Sequence, residues 1–564
     1  MMMLHTRRSF LTYLGAGSYA ALVSKLPAQE ADFPSRRRGK SPAFFEPIAP
    51  SAADELVVPK GFRSEVIVRW DHPLGSAAPD DSAERFGFNN DFIAYFPIDA
   101  LNGGSSSAEG LLWVNHEYPN ALFQSGYTSA DYKAGKKKTP NQIAAERLAV
   151  GGSVIHVRLE SEKWKLVENS KFHRRITAAY PEIALTGPAS ELLNSAVGSL
   201  ANCSGGRTPW FTALSCEENY PDFNGTDPKE FFYRWSDDPK QAIDETRYGW
   251  VMEVDPYGEM PPLKHTALGR FKHENAAVTR GANGHVVIYM GDDEVDQHLY
   301  KFVSAEPDDP KAKRADRRKR LQEGTLYAAD LAKGRWIPLV FNAETAKVIQ
   351  ESAIFVAARK LDSTLQITNQ AELLIHTRLA ARALGATPLD RCEDCEVHPR
   401  DGSLYVALTN NTRHGNLYGH IVRLVEDNDD AAATSFQYEI FLAGGPQSGL
   451  ACPDNLAFDR EGNLWVVCDM SSEKIGSGAY KSFGNNGLFV VPTAGDSAGD
   501  AFQFASGPID AELTGPWFTE DGKTLFLSVQ HPGELSPSHD KLTSHWPDGG
   551  TAIPRPSVVA IRGF

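Results

Sequence analysis

The chain has 564 residues, of which 41% are hydrophobic, and this length can form one large domain or several small ones. It carries 57 lysine and arginine residues against 72 aspartate and glutamate residues, a formal net charge of −15. This acidity argues against a structural nucleic-acid-binding protein, because a phosphate backbone requires a positive surface. An anionic ligand would need a locally positive site, made by arginine side chains or by bound metal ions.

Residues 1–28 are predicted to be a twin-arginine signal peptide. Arg7 and Arg8 precede a mildly apolar run that ends near Val23, and this run is too short for a membrane span of about 20 residues. Cleavage is expected near Ala28. The sequence therefore predicts a periplasmic or secreted protein with no membrane span in the mature chain. Export in the folded state is compatible with a metal cofactor that is loaded before export.

The rest of the chain is predicted to be a linker or wrapping arm (29–60) followed by a single all-β domain (61–564). Short apolar runs with alternating polarity are separated by Gly, Asp and Asn turns, as in Val154–Arg158 and Leu464–Val467. This pattern is typical of strands and not of helices. The basic run 311–320 is predicted to be a solvated loop or helix face.

A repeated unit of strand, acidic turn and strand is visible in the second half of the chain. Its turn glycines are spaced by 60 residues, at Gly402, Gly462 and Gly522. Gly284 lies 118 residues before Gly402, close to two more periods, and Gly110 and Gly206 fit less regularly. One unit cannot bury both of its faces, so repeats of this length predict the blades of a β-propeller. The count gives six or seven blades with insertions, and two packed β-sandwiches are the alternative.

Polar side chains stand at the ends of many predicted strands, where the channel of a propeller would bring them together. The segments are Asn115–Glu117, Cys216–Asn219, His273–Glu274, Gly291–Asp293, Arg391–Asp394, Thr409–Asn411, Asp454–Asn455 and Gln530–Gly533. Each segment alone is also typical of a turn or a cap. Crowded carboxylates repel one another unless they are protonated or neutralised. Calcium accepts such oxygen ligands, whereas a thiolate among them would favour iron or another transition metal.

Two other motifs are weaker. The six cysteines permit disulfides in an exported protein, and Cys392-Glu-Asp-Cys395 is a single pair that gives little support for a zinc site. Gly495–Gly499 matches G-x-S-x-G, and Asp510 and His531 follow in the order of an α/β-hydrolase triad. The segment after Gly499 shows no helical pattern, so a glycine-rich hairpin loop is the better interpretation.

Several segments together resemble the PhoX-type alkaline phosphatases, in the same order, from about residue 55 to the C-terminus. They are Phe86–Asp91, Asn115–Tyr118, Asn202–Trp210, Cys216–Asn219, Gly269–Glu274, Gly291–Asp293, Arg391–Glu393, Gly515–Thr519 and Ser528–Glu534. The Asn-Cys-Ser-Gly-Gly segment and the Gln-His-Pro-Gly-Glu segment are the most specific of them. The predicted leader agrees with this family, whose members are exported by the twin-arginine route.

The resemblance implies a six-bladed propeller whose channel holds two ferric ions and several calcium ions around a bridging oxygen. It implies that Cys203 binds iron and that Arg391 binds the substrate phosphate, with Arg391 and Glu393 as the catalytic residues. The implied metal-binding carboxylates are Glu117, Glu218, Glu274, Glu393 and Asp454. Two positions depart from the family: Cys392 stands where a proline is usual, and Phe211 stands where glycine is frequent.

We therefore expect an exported, monomeric, metal-dependent phosphomonoesterase that releases inorganic phosphate from small organic phosphate esters. Metal cations would stabilise the charge that develops during hydrolysis of a phosphate dianion, and an arginine fork would bind its oxygens. Two alternatives remain open at this point. One is a calcium-dependent propeller lactonase or esterase, and the other is a binding propeller without catalytic activity.

Overall fold

The structure is a computed structural model that describes residues 42–75, 84–224, 235 and 243–564. The predicted signal peptide lies outside the described residues, as does the first part of the predicted arm. The described part of the arm runs along the last sheets of the fold. The amides of Ile48 and Val57 donate to Gln503 O at 3.0 Å and to Ser506 O at 2.9 Å.

Thirty strands are present among the described residues, and most of them belong to six sheets of four to six strands. The strand β1 (Arg63–Arg69) opens the fold. Sheet A contains β2 (Asn90–Pro97), β3 (Glu109–His116), β4 (Gly151–Glu160), β5 (Lys163–Leu166) and β6 (Arg174–Ile176). Sheet B contains β7 (Glu182–Thr186), β8 (Ser195–Val197), β9 (Asn202–Arg207), β10 (Ala213–Glu217), β11 (Val251–Val254) and β12 (Leu263–His265).

The remaining sheets follow in chain order. Sheet C contains β13 (Ala277–Arg280), β14 (His285–Gly291), β16 (Leu299–Pro307), β17 (Gly324–Asp330) and β18 (Arg335–Pro338), and β15 (Val295–Gln297) pairs with β19 (Leu389–Asp390). Sheet D contains β20 (Cys392–Val397), β21 (Leu404–Leu408), β22 (His420–Glu426) and β23 (Phe436–Ala443). Sheet E contains β24 (Pro453–Phe458), β25 (Leu464–Cys468), β26 (Gly487–Val491) and β27 (Phe502–Ser506). Sheet F contains β28 (Glu512–Phe518), β29 (Thr524–Gln530), β30 (Ser557–Arg562) and, at its far edge, β1.

The sheets contact one another in a ring. One edge strand of each sheet packs against the edge strands of the two neighbouring sheets, in the order β2, β9, β13, β20, β24 and β28, and β28 packs against β2 again. Sheet F combines the first strand of the domain with the last three, so it connects the first and last strands of the domain.

The alternating side chains of a strand pack against the two sheets on either side of it. Trp465 and Val467 of β25 pack in the core between sheets E and F, whereas Leu464 and Val466 pack in the core between sheets D and E. Successive side chains of a strand point to opposite faces, so a strand that is apolar throughout has both faces buried. This is why the strongest apolar runs lie in the second strands of the sheets.

Most of the predicted turn glycines lie where the repeat places them. Gly284, Gly402, Gly462 and Gly522 each connect the edge strand of a sheet to its second strand and adopt φ between +70° and +83°. Two other assignments were wrong. Gly110 lies inside β3 and Gly206 lies inside β9. A Cβ at Gly206 would come within 1.9 Å of Ala276 O, so this glycine permits close approach of the neighbouring sheet.

Phe211 occupies a left-handed position, with φ of +59°, in the turn between β9 and β10. A residue with a side chain in this region costs about 1 kcal/mol relative to glycine. The departure noted at this position in the sequence therefore lies where glycine would relieve backbone strain.

The helices are short, and α1 to α5 lie in connections between strands of the same sheet. The α-helices of the described residues are α1 (Ala121–Ser125), α2 (Ser129–Lys133), α3 (Pro140–Ala149), α4 (Ser190–Leu193), α5 (Arg314–Arg317), α6 (Ala343–Glu351), α7 (Ala353–Leu361), α8 (Gln370–Ile375) and α9 (Thr377–Leu384). Helices α6 to α9 form a helical insertion between β18 and β19, and its apolar side chains join the core of sheet C. None of the helices in the described ranges is long and apolar enough to cross a membrane.

The basic run 311–320 is only partly solvated, contrary to the sequence expectation. It forms α5 and a following 3-10 turn (Arg318–Leu321), in which Arg317 and Arg318 are buried. Arg318 Nε donates to Glu253 Oε2 at 2.8 Å, and Arg317 Nε donates to Asp308 Oδ1 at 2.8 Å. Their partners come from other strands and loops, so local sequence could not reveal these buried ion pairs.

Candidate metal centre and active site

The predicted ligands gather at one end of the six sheets. In an antiparallel pair, the start of the edge strand and the end of the second strand lie at the same end of the sheet. Cys203, Glu393 and Asp454 are the second residues of β9, β20 and β24. Glu117 and Glu218 follow the second strands β3 and β10 directly, and Glu274 lies shortly before β13. Hairpin geometry therefore places these residues at the same end of their sheets, and the ring of edge strands brings them together.

These residues form three linked groups, in each of which the possible ligand atoms lie within 4.8 Å of one another. The groups are Asp91, Glu117 and Cys203; Cys203, Glu218 and Glu274; and Glu274, Glu393 and Asp454. Cys203 and Glu274 each belong to two groups. The Cys203 thiol donates to Asp91 Oδ2 at 3.1 Å and lies 3.3 Å from Glu274 Oε1. All six residues predicted to bind metal are thus brought together. We call this set with Asp91 the carboxylate cluster.

Asp91 was not predicted as a ligand, although it ends one of the segments that carry the resemblance. It lies at the start of the edge strand β2, where the pairing register with β3 shifts between Asn90 and Ile93. Similar register shifts surround Glu393 in β20 and Asp454 in β24. Bulges of this kind redirect side chains near functional sites. Its position in the sequence could have indicated this role, because Asp91 lies at the start of an edge strand, as Cys203, Glu393 and Asp454 do.

Buried polar side chains support the cysteine from behind. Asn115 Nδ2 donates to the backbone oxygens of Cys203 at 2.7 Å and Ser204 at 2.9 Å. Asn115 Oδ1 accepts from Trp113 Nε1 and from Ser215 Oγ, both at 2.7 Å. This amide therefore connects sheets A and B directly under Cys203 and fixes the position of its backbone.

Burial and mutual repulsion perturb the ionisation of the cluster. Desolvation is the largest cause and raises the pKa of Glu117, Glu218, Glu274, Glu393 and Asp454 well above the usual range, and neighbouring carboxylates raise them further. Burial also raises the pKa of Asp91 to about 7. The pKa of the Cys203 thiol rises for the same reasons. Bound cations would reverse these shifts, because they stabilise the ionised forms of carboxylate and thiolate ligands.

The donor set fits metal ions. Glu274 Oε2 is buried and has no hydrogen-bond partner among the described residues. A buried carboxylate oxygen without a partner is costly unless a cation or water binds it. The Arg391 guanidinium adds one positive charge to a cluster of several acids, which leaves most of the negative charge uncompensated.

Arg391 lies at the edge of the cluster and contacts three acids. Its Nε donates to Asp293 Oδ1 at 2.9 Å, and its Nη2 donates to Asp293 Oδ2 at 2.6 Å. Arg391 Nη2 also lies 2.8 Å from Glu393 Oε1, and 3.5 Å from Asp469 Oδ2. Arg391 and Glu393 stand two residues apart, a spacing that would place both side chains on one side of an extended segment. The segment is not extended, because Arg391 adopts φ of +57° between β19 and β20.

The comparisons with known proteins decide the family. The family model described as alkaline phosphatase PhoX matches residues 43–533 of the chain. The chain belongs to the PhoX alkaline phosphatase family. Pseudomonas fluorescens PhoX, whose structure is solved in complex with vanadate, a transition-state analogue, is 31% identical to the chain, with a TM-score of 0.77. The match covers 92% of this chain and 97% of that one. The resemblance seen in the sequence is confirmed.

More distant structures share little with the chain. An uncharacterised protein from Dyadobacter fermentans is 10% identical, with a TM-score of 0.33, over 89% of this chain and 99% of that one. A gluconolactonase from Xanthomonas campestris is 11% identical, with a TM-score of 0.28, over 84% of this chain and 96% of that one. No curated protein matches the chain.

As a PhoX-family enzyme, the protein is a hydrolase of phosphoric monoesters. This excludes the binding propeller without activity and favours a phosphatase over the lactonase alternative. The G-x-S-x-G match has no part in it, because Gly495–Gly499 lies in a turn between β26 and β27. His531 Nδ1 contacts the backbone oxygen of Asp510 and not its carboxylate.

The cysteines of this PhoX-family chain are all described, and none of the six is in a disulfide. Cys392 and Cys395 are buried in the apolar core between sheets C and D, so the motif does not form a zinc site with a second pair. Cys392 follows Arg391 directly and begins β20. Its burial in the core fixes the strand that follows the arginine.

Further acids around the cluster were not among the predicted metal ligands, although Asp293 lies in one of the polar segments that the sequence analysis singled out. Asp293 follows β14, Asp469 follows β25 and Glu512 begins β28. Burial, with repulsion from Asp469 and Asp454, raises the pKa of Glu512 well above the usual range. They occupy the same end of their strands as the predicted ligands and extend the negative region of the site.

Proposed function

We propose that this enzyme is an exported alkaline phosphatase that releases inorganic phosphate from organic phosphate esters at an iron and calcium site. The observation that carries this proposal is the carboxylate cluster itself. One thiol and six buried carboxylates form three linked groups, in each of which the ligand atoms lie within 4.8 Å of one another, and an arginine lies at their edge. A site with six carboxylates and one arginine binds an acidic substrate only if further cations offset the negative charge.

The fold proposed for this site is a six-bladed propeller, with sheets A to F as the blades. The ring of edge strands supports it, as does the union of β1 with the last three strands in sheet F. The segment between Gly284 and Gly402 contributes one large sheet and the helical insertion, so it supports six blades and not seven.

The proposed metals follow from the donors. The two groups that contain Cys203 combine a thiol with carboxylates, a donor set that suits ferric iron. The group formed by Glu274, Glu393 and Asp454 offers only oxygen, which suits calcium. When bound, such cations supply positive charge that stabilises the transition state of phosphoryl transfer.

Arg391 is the proposed phosphate-binding residue. Its guanidinium is half-buried among Asp293, Glu393 and Asp469, and the two hydrogen bonds with the Asp293 carboxylate fix the plane of the group. A planar guanidinium in a fixed orientation binds two oxygens of a phosphate at once. Glu393, two residues later, lies both on the arginine and in the carboxylate cluster, so it would couple phosphate binding to the metal site.

The decisive experiment compares two cysteines on neighbouring strands. Cys203 on β9 belongs to the cluster, whereas Cys216 on β10 is fully buried in an apolar core. Cys203→Ser should remove the visible absorption band of thiolate-bound ferric iron, most of the iron and most of the hydrolysis of an aryl phosphate. Cys216→Ser should retain all three. Full activity and full iron content in Cys203→Ser would refute the proposed centre.

Export and oligomeric state are also part of the proposal. The leader 1–28 supports export by the twin-arginine route, so replacing Arg7 and Arg8 by lysine should leave folded, active enzyme in the cytoplasm. We propose a monomer, which light scattering of the purified protein tests directly. A stable dimer at micromolar concentration would contradict it.

A further inference from the structure

The three consecutive acids Asp292, Asp293 and Glu294, which follow β14, each contact a cation from a different part of the chain. We call them the acidic turn. Asp292 pairs with Arg378 of α9, Asp293 pairs with Arg391, and Glu294 Oε2 lies 3.1 Å from Lys272 Nζ. Arg378 has no part in the function described so far, although it belongs to the helical insertion and pairs with this turn.

The contact between Arg378 and Asp292 is a two-point ion pair. Arg378 Nε donates to Asp292 Oδ2 at 2.8 Å, and Nη2 donates to Oδ1. Asp292 is fully buried, and its backbone forms an antiparallel bridge with His273. Helix α9 is itself fixed, because Ala380 and Ala381 are buried in the core of sheet C. The helical insertion therefore holds Asp292 in one orientation.

Asp293, the residue after Asp292, connects the acidic turn to Arg391. The Asp293 amide donates to Lys272 O at 3.2 Å, and its carboxylate accepts both Nε and Nη2 of Arg391. Arg391 adopts a left-handed backbone conformation, which is unfavourable for a residue with a side chain. The direction of its guanidinium thus depends on contacts outside its own segment, and Asp293 supplies the bidentate one.

We propose that Arg378 is a positioning residue for phosphate binding. By holding Asp292, it fixes the acidic turn, so that Asp293 orients the Arg391 guanidinium for the phosphate oxygens. The helical insertion then contributes to phosphate binding through Arg378. This inference rests on the proposed role of Arg391.

The test compares Arg378→Gln, Arg378→Lys and Arg382→Gln in the metal-loaded enzyme. Arg382 lies one helical turn further along α9, carries the same charge and is exposed, so it is the matched control. The readouts are KM and kcat for an aryl phosphate, the inhibition constant of inorganic phosphate, metal content and the melting temperature. Arg378→Gln should raise both KM and the inhibition constant about tenfold, with kcat and metal content nearly unchanged.

Arg378→Lys retains the charge and loses the two-point geometry, so both constants should rise about threefold without loss of stability. If Arg378→Gln does not fold, Arg378→Lys alone tests the inference. Arg382→Gln should match the wild type. An unchanged phosphate inhibition constant in folded Arg378→Gln or Arg378→Lys would overturn the inference.

A double-mutant cycle separates this inference from the proposed function. If Arg378 acts through Arg391, then Arg378→Gln should change phosphate inhibition less than about twofold in an Arg391→Ala background. Additive effects would overturn the positioning role while leaving Arg391 as the phosphate-binding residue. If Arg391→Ala alone leaves phosphate inhibition unchanged, the proposed phosphate site fails first, and the inference fails with it.

Discussion

Removal of the cations should make the stability of this enzyme depend strongly on pH. The carboxylate cluster contains ligand atoms within 4.8 Å of one another. Two ionised carboxylates at that distance repel by about 3 kcal/mol at an effective dielectric constant of about 20. In the metal-free protein this repulsion and the burial of the acids must be relieved by protonation, which is why their pKa values lie above the usual range.

The direction of the effect follows from the protons bound in each state. Folding raises the pKa of Asp91 from 3.8 to about 7, so between these values the folded state binds a proton that the unfolded state has released. Stability therefore falls as the pH rises, by about 1.4 kcal/mol per pH unit for each such group. For Asp91 alone the loss reaches about 4 kcal/mol above pH 7, and the other raised carboxyls add to it.

The measurement is thermal unfolding of exhaustively chelated protein at pH 6 and pH 8, with and without added calcium. The chelated protein should melt at a clearly lower temperature at pH 8, and calcium should restore both the melting temperature and the activity. Magnesium should restore little, because it requires a tight octahedral shell and loses water reluctantly. Equal stability of the chelated protein at both pH values would refute the electrostatic reasoning, as would activity that survives chelation.

Substitutions at three positions test other parts of the structure. Arg391→Lys should raise KM and lower kcat/KM for an aryl phosphate, with metal content unchanged. Arg391→Ala should cost about 3 kcal/mol of transition-state stabilisation. Near-normal kcat/KM in the alanine variant would show that phosphate binds elsewhere. Burial alone would raise the pKa of Glu253, but its hydrogen bond with His265 and nearby positive charge lower it from 4.5 to about 2. Its ionised form therefore contributes about 3 kcal/mol that is lost as the pH falls from about 4.5 to 2, and Glu253→Gln should unfold earlier in urea at neutral pH and abolish this part of the acid sensitivity. Gly291→Ala should lower both activity and stability, since a Cβ there would lie 2.1 Å from the backbone oxygen of Glu393, and a melting temperature equal to the wild type would show that the strands can separate.

Much of the fold could be predicted because its signals are local. The alternation in Leu464–Val467 follows from the geometry of a strand with two buried faces, and the turn at Gly462 follows from a backbone that favours glycine. The turn interpretation failed at Gly206, which was counted with the turn glycines although it fits their spacing less regularly. It lies within β9, where the absence of a side chain serves close packing against Ala276.

The predicted ligands were accessible from sequence because each stands at a strand end within a recognisable motif. Cys203 and Glu274 are separated by about seventy residues and lie in contact through their side chains. The sequence alone indicated that such residues exist, and the ring of sheets decides that they meet. Asp91 was not predicted as a member of the carboxylate cluster. It lies at the register shift in β2, and the residue pattern of the strand does not indicate that shift.

Tertiary structure alone decided how the arginines are used. Arg318 belongs to a basic run that resembles a solvated face, yet it is buried against Glu253, and Arg378 belongs to an ordinary helix, yet it pairs with buried Asp292. The partner of such an arginine can be identified only in the folded structure, because an ion pair depends on the spatial separation of charges and not on their spacing along the chain. The amino-acid sequence therefore determined the strands, the turns and the chemical character of the site, while the packing of six sheets determined which charges neutralise one another and which remain for a ligand.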